Sequence, residues 1–151
     1  MLKTTFTLIL FIFISSCGYE AIHSKKNSGY DFSISELNFI GDRDVNLKIK
    51  EKLNNYSLTQ KDKNFILNIT SNVEKKVLSK DSSGEVTNFK IIIKIKVEVL
   101  AKINLEITED FNYNNIDNKF NLKTYEKQVI RDLTNTAVDK LIFKLSNIQW
   151  Y

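Results

Sequence analysis

The feature that most constrains the fold is a pair of long period-two alternations separated by a short polar turn. The first runs from Phe65 to Val77 and places an apolar residue at nearly every second position. The second runs from Phe89 to Val99, with lysines between isoleucines and valines. Successive side chains of a strand point to opposite faces of a sheet, so each run predicts a half-buried strand. The polar cluster 79–84 between them predicts an antiparallel hairpin.

A strand and a helix are predicted before the hairpin. Residues Tyr30 to Phe39 alternate in part, and Gly41 ends this first strand. Asp42 is the predicted N-cap of a helix reaching about Tyr56, because its carboxylate can accept hydrogen bonds from the free N–H groups of the first turn. Apolar residues recur three or four positions apart in this helix, as expected when one face lies on a sheet: Val45, Ile49, Leu53 and Tyr56.

A further strand and a long helix are predicted after the hairpin. The strand runs from Ile103 to Tyr113, and residues 114–121 form a predicted loop. The helix begins at about Leu122 and carries a stripe of apolar residues: Ile130, Leu133, Ala137, Leu141, Leu145 and Ile148. The stretch 100–102, Leu-Ala-Lys, lacks typical turn residues. A reversal there and one very long bent strand are therefore both open.

The order strand, helix, three strands, helix predicts an α+β fold. We expect an antiparallel sheet of about four strands with both helices packed on one face. Residues 30–151 form a single predicted domain, long enough to bury about two thirds of its unfolded surface. The only cysteine is Cys17, so we expect the fold to be stabilised by packing without disulfides.

The N-terminal segment has the marks of an export signal. Lys3 precedes an apolar run from Phe6 to Ile14, and two serines follow. This run is too short for a spanning helix, which needs about 20 apolar residues. The sequence 14–17, Ile-Ser-Ser-Cys, resembles a bacterial lipobox, in which the cysteine is diacylated on sulfur and becomes the new N-terminus. We therefore expect cleavage after residue 16, lipidation of Cys17 and a polar tether over 17–29.

Two alternatives to lipidation are ordinary secretion with an incidental cysteine and a short N-terminal membrane anchor. Lipidation is favoured because small residues ending the apolar run are the processing signal, and the chain's only cysteine follows them. Gly18 stands where, by resemblance to enterobacterial sorting, an aspartate would retain a lipoprotein in the inner membrane. We therefore expect a protein of the outer membrane.

The net charge bears on the protein's partners, and the residue types argue against catalysis. The formal charge of +4 and the pI near 9.0 favour anionic partners without naming one, and an A/T-rich genome would also explain the abundant lysine. The only histidine, His23, lies in the tether. No Ser/His/Asp triad, His/Cys metal cluster or glycine-rich phosphate loop is present in the sequence. We expect no enzymatic activity, no cofactor, no metal and no nucleic-acid partner.

Several short motifs, in this order of elements, resemble the LptE family of lipopolysaccharide-assembly lipoproteins. The start 17–19, Cys-Gly-Tyr, resembles the family's mature N-terminus, whereas Glu20, Ala21 and His23 depart from it. The resemblance continues at the following places: 81–84 with 88–89 at the turn into the central strand, 113–114 at the end of the last strand, and the helix 126–145. The stretch 100–102 replaces a longer, glycine-containing turn.

The resemblance implies a lipid-anchored, periplasm-facing protein of the outer membrane. Such proteins plug the lumen of a β-barrel, the lipopolysaccharide translocon subunit LptD, help it to assemble and contact lipopolysaccharide. The polar face of the sheet would then meet the polar barrel interior. The alternative is another periplasm-facing envelope lipoprotein, acting as a ligand-binding or structural module. A deep apolar pocket between the helices and the sheet would favour that alternative.

Six lysines on either side of the predicted turn are candidates for binding the phosphates of lipopolysaccharide. They are Lys75, Lys76 and Lys80 before the turn and Lys90, Lys94 and Lys96 after it. An ammonium group binds a phosphate as a point charge. Lysines on the solvent face of a strand also serve solubility and discourage edge pairing, and this is the favoured explanation for any one of them taken alone.

Overall fold

The computed structural model describes residues 30–58, 60–100 and 102–149. The predicted order of elements is confirmed. The elements are β1 (Ser33–Gly41), α1 (Arg43–Leu53), a short 3₁₀ helix (Asn54–Tyr56), β2 (Asn64–Lys80), β3 (Val86–Val99), β4 (Ile103–Asn114) and α2 (Lys119–Ser146).

The four strands form one sheet in the order β1-β2-β3-β4. β3 is antiparallel to both of its neighbours, as predicted. β1 is parallel to β2, with Ser33 beside Asn64 and Gly41 beside Ser71, so the expectation of a wholly antiparallel sheet is wrong for this pair. The physical reason is α1, which carries the chain back along the sheet so that β2 starts at the same end as β1.

The central hairpin is confirmed. Val73 pairs with Ile93 and Val77 with Phe89. Its turn is fixed by Asp81, whose carboxylate accepts hydrogen bonds from the backbone N–H groups of Ser83 and Glu85, both at 2.9 Å. The Ser83 hydroxyl also donates to this carboxylate. This hydroxyl bond first, and then the backbone bonds, hold the pKa of Asp81 below its ordinary value.

The chain reverses between Val99 and Ile103, which face each other across β3 and β4. A single long bent strand is therefore excluded. The backbone N–H of Lys102 donates to the carbonyl of Val99 at 3.0 Å. Leu100 supplies the left-handed backbone conformation, with φ of 52°, that glycine adopts at lower cost. The residue types gave no sign of this turn because a leucine occupies the glycine position.

Both helices begin at capping side chains. The Asp42 carboxylate accepts a hydrogen bond from the N–H of Val45 at 3.0 Å, which confirms the predicted cap. Asn118 caps α2 by accepting from the N–H groups of Phe120 and Asn121. The helix therefore begins at Lys119, so the predicted loop 114–121 extended too far.

Both helices pack on one face of the sheet. The apolar face of α1, with Ile49 and Leu53, and that of α2, with Ala137 and Leu141, join the apolar side chains of the strands in a single core. Each of these four side chains is 0 or 1% exposed. Such burial contributes about 25 cal/mol per Å² of apolar area and fixes which face of the sheet is covered. No helix within the described part of the chain has the length and apolarity needed to cross a bilayer.

Candidate partner-binding face of the sheet

The face of the sheet that carries no helix is almost wholly polar, and we call it the open face. Its side chains come from alternate positions of all four strands. Three isoleucines, Ile40, Ile66 and Ile92, are its apolar members. The polar members are Glu36, Asn38, Asn68, Thr70, Asn72, Glu74, Lys76, Asn88, Lys90, Lys94, Lys96, Glu98, Asn104, Glu106, Thr108, Asp110 and Asn112.

A network of ion pairs lies towards the hairpin end of the open face. Glu74 lies between Lys94, at 3.2 Å, and Lys76, at 3.6 Å. The hydrogen bond and charge of Lys94 lead the effects that hold the pKa of Glu74 below its ordinary value. Lys90 lies 3.0 Å from Asp110. Exposed pairs of this kind add little to stability, so their side chains can exchange partners when another charged surface approaches.

Lys76 and Lys90 stand directly opposite each other on β2 and β3. Like charges at facing positions destabilise a sheet. The carboxylates of Glu74 and Asp110 lie beside them and offset this repulsion. The arrangement places both lysine side chains on the same face of the sheet.

A shallow concavity of about 860 Å³ lies at the other end of the open face. A row of polar side chains crosses it, because the Asn38 amide donates to Asn68 and the Asn68 amide donates to Glu98, both at 3.1 Å. Lys96 lines the same concavity. Among the described residues, no carboxylate lies within 4.0 Å of the Lys96 ammonium. Lys96 is therefore available to an anionic partner.

The structure brings four of the six predicted lysines onto the open face: Lys76, Lys90, Lys94 and Lys96. Lys80 is exposed at the end of β2, beyond a bulge that follows Val77. Lys75 lies on the opposite, helix-covered face, because neighbouring residues of a strand alternate. The six lysines therefore do not form a single surface.

Lys75 belongs instead to a cluster that joins the hairpin to α2. Its ammonium lies 2.6 Å from the Glu126 carboxylate and 3.7 Å from the centre of the Phe89 ring. Glu126 also accepts a hydrogen bond from the Tyr113 hydroxyl at 2.7 Å. Burial, together with this bond, raises the pKa of Tyr113 well above its usual range. The position of Lys75 within the apolar alternation of β2 was the signal that could have placed it on the helix-covered face.

Within 30–58, 60–100 and 102–149, no group of three or more His, Cys, Asp or Glu side chains is placed to hold a metal ion. Cys17 and His23 lie outside the described residues, so the lipidation site and the tether remain predictions. The space between the helices and the sheet is filled by side chains such as Leu53, Ile93 and Leu145, each 0% exposed. This packing does not favour the ligand-binding alternative, which called for an apolar pocket there.

No protein-family model matches the sequence, and no curated protein matches it. Solved structures do match. The rare lipoprotein B of Shewanella oneidensis aligns with a TM-score of 0.56 and 13% identity, over 74% of this chain and 93% of that one. An uncharacterized lipoprotein B of Nitrosomonas europaea gives a TM-score of 0.56 at 16% identity, covering 81% and 89%.

A minor lipoprotein of Acinetobacter baumannii gives the same TM-score of 0.56 at 12% identity, over 78% of this chain and 91% of that one. At these identities the likeness establishes the fold. The chain therefore has the fold of rare lipoprotein B, an LptE-like protein, over nearly the whole length of each neighbour. The predicted resemblance is confirmed at this level.

Proposed function

We propose that this protein is a lipid-anchored, non-catalytic subunit of the outer membrane that plugs an LptD-like β-barrel and helps it to assemble. In this role it faces the periplasm, with Cys17 carrying the lipid, and assists the insertion of lipopolysaccharide at the cell surface. The observation that carries the proposal is the open face, a polar surface spanning four strands on a fold shared with three lipoproteins.

The open face suits a polar barrel interior for a physical reason. A strand's lumen-facing side chains in such barrels are polar and hydrated, so a partner inside must offer hydrogen bonds and charges rather than apolar area. The asparagines and lysines of the open face offer both, and the row formed by Asn38, Asn68 and Glu98 is already aligned across three strands. The helix-covered face would stay inside the domain and keep it rigid.

The second part of the proposal is that lysines of the open face contact the phosphates of lipopolysaccharide. Lys96 is the strongest candidate, because its ammonium has no carboxylate partner among the described residues and it lines the concavity. Lys76, Lys90 and Lys94 would exchange their carboxylate partners for phosphates. Lys80 stays a candidate at the end of β2, and Lys75 is the weakest, since Glu126 and Phe89 already hold its ammonium.

The experiment is affinity purification of the full-length protein from detergent-solubilised envelopes of its host, followed by mass spectrometry of the mature N-terminus. We expect an acylated Cys17 and a stoichiometric outer-membrane barrel. The Cys17→Ser variant has no thiol to acylate, so it should remain unprocessed and should not become anchored in the outer membrane, because stable anchoring there requires two or more acyl chains. An unmodified sulfur in the native protein, or a monomer recovered without a barrel, would contradict the proposal.

A further inference from the structure

β2 is longer than the strand that pairs with it on one side. β1 pairs with β2 from Asn64 to Ser71, but β2 continues to Lys80. β3 accompanies the other side along this whole length. Within the described part of the chain, β2 therefore has no neighbouring strand on its β1 side after Ser71. We call this side of residues 72–77 the free edge.

The backbone groups that point to the free edge can be identified from the bonds beside it. The carbonyl of Ser71 accepts from Asp42 on the β1 side, whereas the carbonyl of Ile66 accepts from Leu100 on the β3 side. The N–H and C=O of one residue in a strand point the same way, and this direction alternates along the chain. The register stays regular through Val77. Odd positions from Val73 onward therefore direct their backbone groups outward.

By this alternation, the residues whose backbone groups point to the free edge are Val73, Lys75 and Val77. Together they present three N–H donors and three C=O acceptors without a strand to receive them. A bulge between Val77 and Ser79 ends the regular ladder. The free edge is therefore a short, defined template of the kind used when an extended peptide adds a strand to a sheet.

The charge of residues 72–80 indicates which kind of strand could pair with the free edge. Residues 72–80 contain three lysines and one acid, Glu74, whose carboxylate is held by Lys94 and Lys76. The segment therefore carries a net positive charge, which favours an acidic partner strand. The other outer strand, β4, is already approached by α2, since Lys144 donates to the backbone carbonyl of Glu106 at 3.1 Å.

We propose that the free edge of β2 is a strand-addition site for an extended, acidic segment of a partner protein. Backbone hydrogen bonds to Val73, Lys75 and Val77 supply the affinity. Acidic side chains of the added strand lie beside Lys76 on the open face and beside Lys80 at the strand end, and supply the selectivity. This site goes beyond the proposed function, because it uses the sheet's edge and does not depend on the barrel.

The test is titration of the isotope-labelled full-length protein, in detergent, with the capped peptide Thr-Glu-Val-Glu-Val-Glu-Thr. We expect chemical-shift changes and slowed amide exchange at Val73, Lys75 and Val77. A matched peptide with lysine in place of glutamate should not bind. The barrel is absent from this titration. A failure of the peptide to bind and a failure of the barrel to co-purify are therefore separate results.

The variant Val73→Pro removes one outward N–H, which the sheet does not use, so the fold should tolerate it. It should weaken peptide binding by about tenfold, whereas Val73→Ala keeps the N–H and should bind normally. If Val73→Pro fails to fold, Lys76→Glu tests the charge selection and should also weaken binding. Equal binding by every variant, no binding of the acidic peptide at millimolar concentration, or shifts confined to β4 would overturn the site.

Discussion

The ammonium of Lys75 on β2 lies 2.6 Å from the carboxylate of Glu126 on α2. The two residues are 51 positions apart in the chain, and their contact closes the hairpin end of the sheet against the first half of the long helix. The same carboxylate accepts the hydrogen bond from Tyr113, so one side chain joins three elements. Its removal should therefore be felt in the stability of the whole domain.

The variant Glu126→Ala should lower the free energy of unfolding by about 1–3 kcal/mol, because it leaves the Tyr113 hydroxyl without its acceptor and Lys75 without its charge partner. Glu126→Gln should cost less, since an amide oxygen can still accept from Tyr113. Chemical denaturation measures both. Lys127→Ala, at an exposed neighbouring position, is the control, and equal losses for Glu126→Ala and Lys127→Ala would show that the contact contributes nothing.

The variant Asp42→Ala should cost about 0.5–2 kcal/mol, the usual contribution of an N-cap. The side chain accepts from Val45 at the start of α1, and that N–H would lose its partner. Asp42→Ser retains a capping oxygen and should restore most of the loss. Thermal unfolding compares the two variants directly, and an Asp42→Ser protein no more stable than Asp42→Ala would argue against capping.

Much of this fold could be predicted from local patterns. The alternations of β2 and β3 determine which residues face the core. A shift of one residue would move every side chain of the strand to the other face, so only one assignment buries the apolar set. The Asp42 cap and the apolar stripes of both helices follow from equally local rules. The same alternation places Lys76, Lys90, Lys94 and Lys96 on one face of the sheet.

The failures all involve non-local contacts or an unusual backbone. The parallel pairing of β1 depends on the path of α1, which no residue type encodes. The turn after Val99 uses a left-handed Leu100, a conformation that sequence rules assign to glycine. The alternation of β2 indicates the face on which Lys75 lies, but its partner, Glu126, is distant in the sequence, so local patterns do not reveal their contact. Contacts of this kind become visible only in three dimensions.

The carboxyl group of Glu74 should titrate below its ordinary pKa of 4.5 in the folded protein. Since the pKa is lowered by folding, its contribution to stability is present above the unfolded pKa and is lost as the pH falls through the folded pKa. The Lys94→Gln variant removes the main cause and should raise the pKa of Glu74 towards 4.5. Carboxyl-detected NMR titration measures this shift, and an unchanged value in the variant would refute the assignment.

A triple variant should bind purified lipopolysaccharide more weakly at low ionic strength when glutamine replaces each of Lys76, Lys80 and Lys90. Point-charge contacts to phosphate are screened by salt, so the difference from the native protein should shrink as salt is added. The control replaces three exposed helix lysines, Lys50, Lys123 and Lys127, and carries the same change in net charge. Equal binding by the two variants would remove any specific role for the hairpin lysines.

The most direct test of the central claim is site-specific photo-crosslinking in native envelopes, with the reactive residue placed in turn on each side of the sheet. Positions Asn72 and Thr108 lie on the open face, and Lys127 lies on the exposed side of α2. We predict crosslinks to an outer-membrane barrel from the two open-face positions and few or none from Lys127 on the helix. Crosslinks to a barrel from Lys127 alone, or none from either open-face position, would contradict it.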